Sequence, residues 1–81
     1  MTPIDIAIKI LNDQLQLGSQ IESFTSGTLL LGHLQELDSL SIVGIISSIE
    51  EQLGCEVDDD EISQEVFESV GSLADFIESK L

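Results

Sequence analysis

The stretch Leu37-Asp38-Ser39-Leu40-Ser41-Ile42-Val43 sets a serine hydroxyl directly after a carboxylate, at the head of an apolar helical repeat. A hydroxyl at a helix start faces solvent. The N–H groups of the first turn have no partner within the helix and can face a phosphate. Their partial positive charge offsets some repulsion from Asp38 and Glu36. Ser39 is therefore a hydroxyl set where an anion would be tolerated. The ordinary alternative is that Ser39 merely caps its helix, a role serine fills very often. Taken alone, the triplet Asp-Ser-Leu favours that plainer role.

Other groups with chemical potential fit less well. His33 and Asp38 with Ser39 would name the parts of a hydrolase triad. Asp38 adjoins Ser39, however, and His33 sits in a loop, so the geometry of a triad is not indicated. No glycine-flanked nucleophile turn accompanies the serine. Asp58, Asp59, Asp60 and Glu61 form an acidic run. A calcium loop needs alternating oxygen ligands and a central glycine, and Ile62 stands where a ligand belongs. Cys55 is the single cysteine, with no basic neighbour to activate it as a nucleophile. It reads as a small, half-buried residue at a helix end.

The elements that must position Ser39 follow from apolar spacing. Helix one opens with Thr2 as cap, Pro3 in the first turn and Asp5 three residues after the cap. Ile4, Ala7, Ile8, Leu11 and Leu15 form its face, and Gly18 ends it. Residues 18–37 show no long helical pattern and hold three glycines. A loop this long in a small domain is usually functional. Ile21, Phe24, Leu29, Leu30, Leu31, Leu34 and Leu37 are expected to pin it to the bundle, with room for a short helical turn. Helix two begins at Asp38 or Ser39, carries Ile42, Ile45, Ile46, Ile49 and Leu53 on one face, and stops at Gly54. A short third helix is expected from about Glu61 to Glu68, with Ile62 and Val66 inward. Gly71 and Ser72 lead into helix four, striped by Val70, Leu73, Ala74, Ile77 and Leu81. Lys80 sits at its favourable C-terminal end. The fold class is all-α: a small four-helix bundle with a long loop between helices one and two and a short third helix. Residues 1–81 form one domain.

Composition narrows the functions. The 81 residues are 42% hydrophobic, too apolar for a disordered acidic tail. Net charge is -14, with Lys9 and Lys80 the only lysines and no arginine. Such a surface repels nucleic acid and anionic membranes, and attracts basic patches on other proteins. One cysteine implies no oxidising compartment, and no run is long enough to span a bilayer. The expectation is a cytoplasmic monomer.

Asp38-Ser39-Leu40 with the apolar helix and Glu-rich end that follow resembles the acyl carrier protein family. So do Leu53-Gly54-Cys55-Glu56-Val57 with the acidic run, and Val70-Gly71-Ser72-Leu73-Ala74-Asp75-Phe76-Ile77. The likeness is close over residues 37–81 and holds only in pattern over 3–36. It implies a carrier rather than an enzyme, with 4'-phosphopantetheine from coenzyme A attached to Ser39 by a phosphopantetheinyl transferase. Mg2+ takes part only during that transfer, and Asp38 resembles the acid that helps hold it. The arm's thiol then carries acyl groups as thioesters. Implied partners are acyl-loading and acyl-accepting enzymes with basic patches, met by Glu36, Leu40, Val43, Glu50 and Glu51 along helix two.

Gly44 and Ser41 stand where many fatty-acid carriers have acids, which points away from housekeeping fatty-acid synthesis and toward a specialised pathway. Gly44 either admits the close approach of a partner or loop, or is a packing glycine. Glu36-Leu37-Asp38-Ser39, Val57 to Ile62, Phe67 and Val70 to Phe76 look most like carriers encoded with exosortase and exopolysaccharide systems. Aminoacyl, peptidyl and polyketide carriers share the scaffold. A non-carrier acidic helical adaptor is the rival from another class.

Overall fold

Thr2 and Asp5 start the first helix by reciprocal bonding. The Asp5 N–H donates to Thr2 Oγ1 at 3.1 Å, and the Thr2 N–H donates to Asp5 Oδ2 at 3.2 Å. This capping box satisfies two N–H groups that a helix otherwise leaves open. Pro3 fills the first position, and α1 runs Pro3–Leu15. The computed structural model describes residues 2–32 and 37–81, with Asp59 as backbone only. Two further α-helices follow, α2 (Ser39–Leu53) and α3 (Val70–Ser79). Short 3₁₀ helices span Gly18–Ser23, Asp59–Glu61 and Gln64–Phe67. The third member of the four-helix arrangement is thus the 3₁₀ helix Gln64–Phe67, and the expected stretch from Glu61 to Glu68 is broken around it. Phe67, not Ile62 or Val66, is its buried residue.

α1 packs against both α2 and α3, while those two share little direct contact. That central place widens the apolar arc of α1. Ala7, Ile10 and Leu11 are fully buried, whereas Ile4, Ile8 and Leu15 are half-buried. α1 ends earlier than Gly18: Gln16 takes the left-handed conformation at φ 53°. Asn12 holds this exit, since its carbonyl accepts from the Gln16 N–H and its side chain from the Gly18 N–H. Gly18 and Gly54 do adopt positive φ, and Gly54 caps α2.

The long connection after α1 is tied to the start of α3. The N–H groups of Leu30 and Leu31 donate to the carbonyls of Glu68 and Phe67, at 2.9 and 3.0 Å. Those of Val70 and Gly71 donate to Thr28 and Ser26, at 2.9 and 2.8 Å. An antiparallel bridge between Leu29 and Ser69 lies among them, and no strand forms among the described residues. Leu30 and Leu37 are buried and anchor the loop, Ile21, Phe24 and Leu31 are half-buried, and Leu29 is exposed. Leu34 lies outside the described residues. α3 starts at Val70 because Ser69 and Ser72 cap each other: the Ser72 N–H donates to Ser69 Oγ, and the Ser69 N–H to Ser72 Oγ.

Candidate functional site

The head of α2 is built by Leu37 and Asp38. Leu37 is buried and fixes the incoming chain. Asp38 is extended, at φ −126° and ψ −176°, and caps the helix: its Oδ1 accepts from the Ser41 N–H at 2.8 Å, and its carbonyl from the Ile42 N–H at 3.0 Å. That bond to Ser41 is the main reason its carboxyl is held below the ordinary carboxylate range. Asp38 is therefore ionised at neutral pH. Because the acid does the capping, Ser39 falls at the first helical position, exposed to solvent. Among the described residues its hydroxyl has no hydrogen-bond partner. The plainer sequence reading, in which Ser39 is itself the cap, is overturned by this division of labour.

Two large apolar side chains flank the serine in the open. Leu40 is 83% exposed and Val43 62%. From the turn after Ser39 a surface groove of about 390 Å³ runs along α2, lined by Ile42, Val43, Ile46, Ser47 and Glu50. Val57 and Ile62 form its other wall. Ile42 and Val43 stand three and four residues beyond Ser39, hence on its face of the helix. Ser39 and Glu50 are eleven residues apart, about 16 Å along the axis. A larger hollow of about 590 Å³ lies among Thr2, Pro3, Ile4, Ser26, Ser69 and one side of α3 from Gly71 to Glu78. None of its lining residues belongs to α2, so it has no part in the serine's surroundings.

A phosphate ester at Ser39 fits this setting. The hydroxyl projects from a helix N-terminus, where backbone N–H groups favour an anion. No neighbour must move to make room, since the flanking Asp38 and Leu40 are also exposed. The acid beside it keeps its charge, a donor suited to a divalent ion.

The other residues singled out by sequence spread along the same helix. Glu51 is exposed, near the far end of α2. Glu50 is half-buried, and its Oε2 accepts from the Val57 N–H at 2.9 Å. Glu36 and His33 lie outside the described residues. Cys55 is half-buried just beyond the cap of α2. Gly44 faces α1, where an added Cβ would press on the amide of Gln14. That amide donates to Ser48 Oγ at 2.7 Å, so the glycine is a packing glycine that lets Gln14 bridge two helices. Val57 and Ile62 escaped notice as groove residues. Their only sequence signal is an apolar pair flanking the acidic run, which periodicity cannot assign to a wall.

Comparison with known proteins agrees with this geometry. A family described as "Phosphopantetheine attachment site" matches residues 32–77. The solution NMR structure of a holo acyl carrier protein from Nitrosomonas europaea is 44% identical. The match covers 99% of this chain and 96% of that one, with a TM-score of 0.89. No protein of curated function matches the chain. No helix among the described residues is long and apolar enough to cross a membrane. Acyl carrier proteins are carriers and not catalysts, and they work with phosphopantetheinyl transferases and acyl-handling enzymes. The exposed serine, the acid that caps in its place and the four-helix frame behind them thus belong to a member of the phosphopantetheine-attachment family with the acyl carrier protein fold, whose prosthetic group is 4'-phosphopantetheine.

Proposed function

We propose that this chain carries acyl intermediates as thioesters on a 4'-phosphopantetheine arm joined to Ser39, and presents them to the enzymes of a specialised biosynthetic pathway. The observation that carries this reading is the division of labour at the head of α2: Asp38 caps, and Ser39 is left exposed. Ser39 Oγ loses its proton and attacks the coenzyme A phosphorus that bears the pantetheine. The pyrophosphate bond breaks with adenosine 3',5'-bisphosphate leaving, and Oγ becomes the ester oxygen of a phosphodiester. Asp38 supplies a fixed negative charge beside it, where Mg2+ is needed during transfer from coenzyme A. Once bound, the arm supplies a thiol that holds the acyl group.

The chain's own residues do the rest. Leu40 and Val43 offer apolar contact next to the serine, and Glu51 with Glu36 and Glu50 offers negative charge to basic partners. Steering by a net charge of -14 raises the rate of encounter more than the strength of the complex. The same charge discourages self-association, in keeping with a cytoplasmic monomer. The groove behind Val43 provides apolar surface for part of the arm or its cargo, at about 0.8 kcal/mol for each methylene buried. The glycine and serine at positions 44 and 41 set this helix apart from acid-rich carriers and support the specialised pathway. The likeness to carriers of exosortase and exopolysaccharide systems suggests which one.

Intact mass tests the reading. Incubated with coenzyme A, Mg2+ and a broad-specificity transferase, the unmodified protein is expected to gain one phosphopantetheine group, and Ser39→Ala none. No gain with several transferases, or an equal gain by S39A, would overturn the assignment and favour an acidic adaptor.

A further inference from the structure

The chain leaves α2 through a single residue. The Glu50 carbonyl accepts from the N–H groups of Gly54 and, at 3.2 Å, Cys55. Its side chain accepts from the Val57 N–H at 2.9 Å. Three donors of the departing segment, those of Gly54, Cys55 and Val57, thus converge on Glu50. Val57 is the first residue of the groove's outer wall, and Ile62 its last. The N–H of Asp58, next in line, donates to Glu61 Oε2 at 2.9 Å, and Glu61 Oε1 is paired with Lys80 at the end of α3. The wall is therefore tied at one point to α2 and at another to α3. Between them α2 and α3 share little contact of their own.

We propose that Glu50 is a positioning residue: its carboxylate clamps the Val57–Ile62 wall to α2 and sets how closely the groove is shut. An ionised carboxylate accepting an N–H forms a stronger bond than a neutral pair, and partial burial shields it from salt. Glu51, next in sequence, is exposed and has no such task. The two adjacent glutamates divide the work, one holding the wall from within and the other facing solvent. Val57 and Ile62 stand opposite Ile42 and Ile46 across the groove, and the Glu50 bond fixes the Val57 end of that wall to α2. The inference goes beyond the carrier reading. Its test uses the chain without an arm, so its failure leaves the assignment of Ser39 untouched.

Amide hydrogen exchange, followed by NMR on the 81-residue chain, reads the clamp directly. In E50A the Val57 N–H is expected to exchange about tenfold faster or more, the range for losing a charge-assisted bond in a local opening. The methyl resonances of Val57 and Ile62 should shift with it. E50Q keeps an acceptor oxygen and should hold Val57 nearer to the native rate than to that of E50A. E51A should leave both readouts in place. Unchanged exchange at Ile10, Leu11 and Leu73 separates loss of the clamp from unfolding. Val57 exchange in E50A within about twofold of native would overturn the proposal, as would an equal effect of E51A or no rescue by E50Q.

Discussion

α3 has ten residues and fully or nearly fully buries four of them; α2 has fifteen and buries two. The difference does not come from apolar content. α2 carries Leu40, Ile42, Val43, Ile45, Ile46, Ile49 and Leu53, yet only Ile45 and Ile49 reach the core. Val70, Leu73, Ala74 and Ile77 of α3 all do. α3 is enclosed by α1, by the 3₁₀ helix Gln64–Phe67 and by the loop bonds at Ser26 and Thr28. α2 has α1 on one side and an open groove on another. One half of the molecule uses its apolar surface for stability. The other keeps part of it in solvent at the helix that bears Ser39, where a partner or the arm itself can cover it.

The sharpest way to break this contrast is to empty the enclosed half. Leu73 of α3 is fully buried in the core cluster, and truncation there leaves a cavity that a close-packed interior fills only in part. Leu73→Ala should cost about 2–5 kcal/mol, measured as a fall in the denaturant midpoint. In a domain this small that removes much of the total stability. A loss under about 1 kcal/mol would mean that the α1–α3 half is not the stable one.

How far the sequence disclosed each half follows from whether the cause was local. The starts of α1 and α2 were legible, because Thr2, Asp5 and Asp38 act within four residues of themselves. The glycine that stops α2 was equally plain. The end of α1 was not: Gln16 adopts positive φ ahead of Gly18 because Asn12 bonds both. The loop's attachment to α3 depends on bonds between residues about forty apart, which no periodicity reports. The third helix fell short because Ser63 interrupts it and Phe67, not the expected Ile62 and Val66, takes the buried place. At the site, Ser39 and Asp38 stood out, but their roles at the cap did not. Leu40 and Val43, expected to offer apolar contact beside Ser39, stand exposed there. Val57 and the clamp by Glu50 arise only once the chain has folded back on α2.

Two glycines sharpen the same comparison at a smaller scale. In α3, a Cβ on Gly71 would lie 2.7 Å from the Ser26 carbonyl oxygen, which also accepts the Gly71 N–H. Backbone on both sides leaves little to yield, so Gly71→Ala should cost about 1–3 kcal/mol. In α2, the Cβ of Gly44→Ala would meet only the end of the flexible Gln14 side chain. That side chain can swing away and lose its bond to Ser48, while alanine regains up to about 1 kcal/mol of helix propensity. G44A should therefore stay within about 1 kcal/mol of the native protein in the same denaturation experiment. Equal losses at both positions would contradict an enclosed α3 beside a yielding α2.

The smallest effect on stability belongs to Leu40, and it isolates what the exposed half is for. At 83% exposure its side chain has little burial to lose, so Leu40→Ala should change stability by no more than about 0.5 kcal/mol. The same side chain adjoins Ser39, where the proposed function brings a transferase or loading enzyme close. Fully burying an exposed Leu side chain contributes about 1.5–3 kcal/mol, so its truncation in a filled contact should cost more than about 1 kcal/mol of binding, or about fivefold. Loading measured as kcat/KM should fall at least that far in L40A while the midpoint of unfolding stays put. If instead the variant unfolds early and loads normally, Leu40 is a structural residue, and the notion of apolar surface held open for partners fails at the position that displays it most.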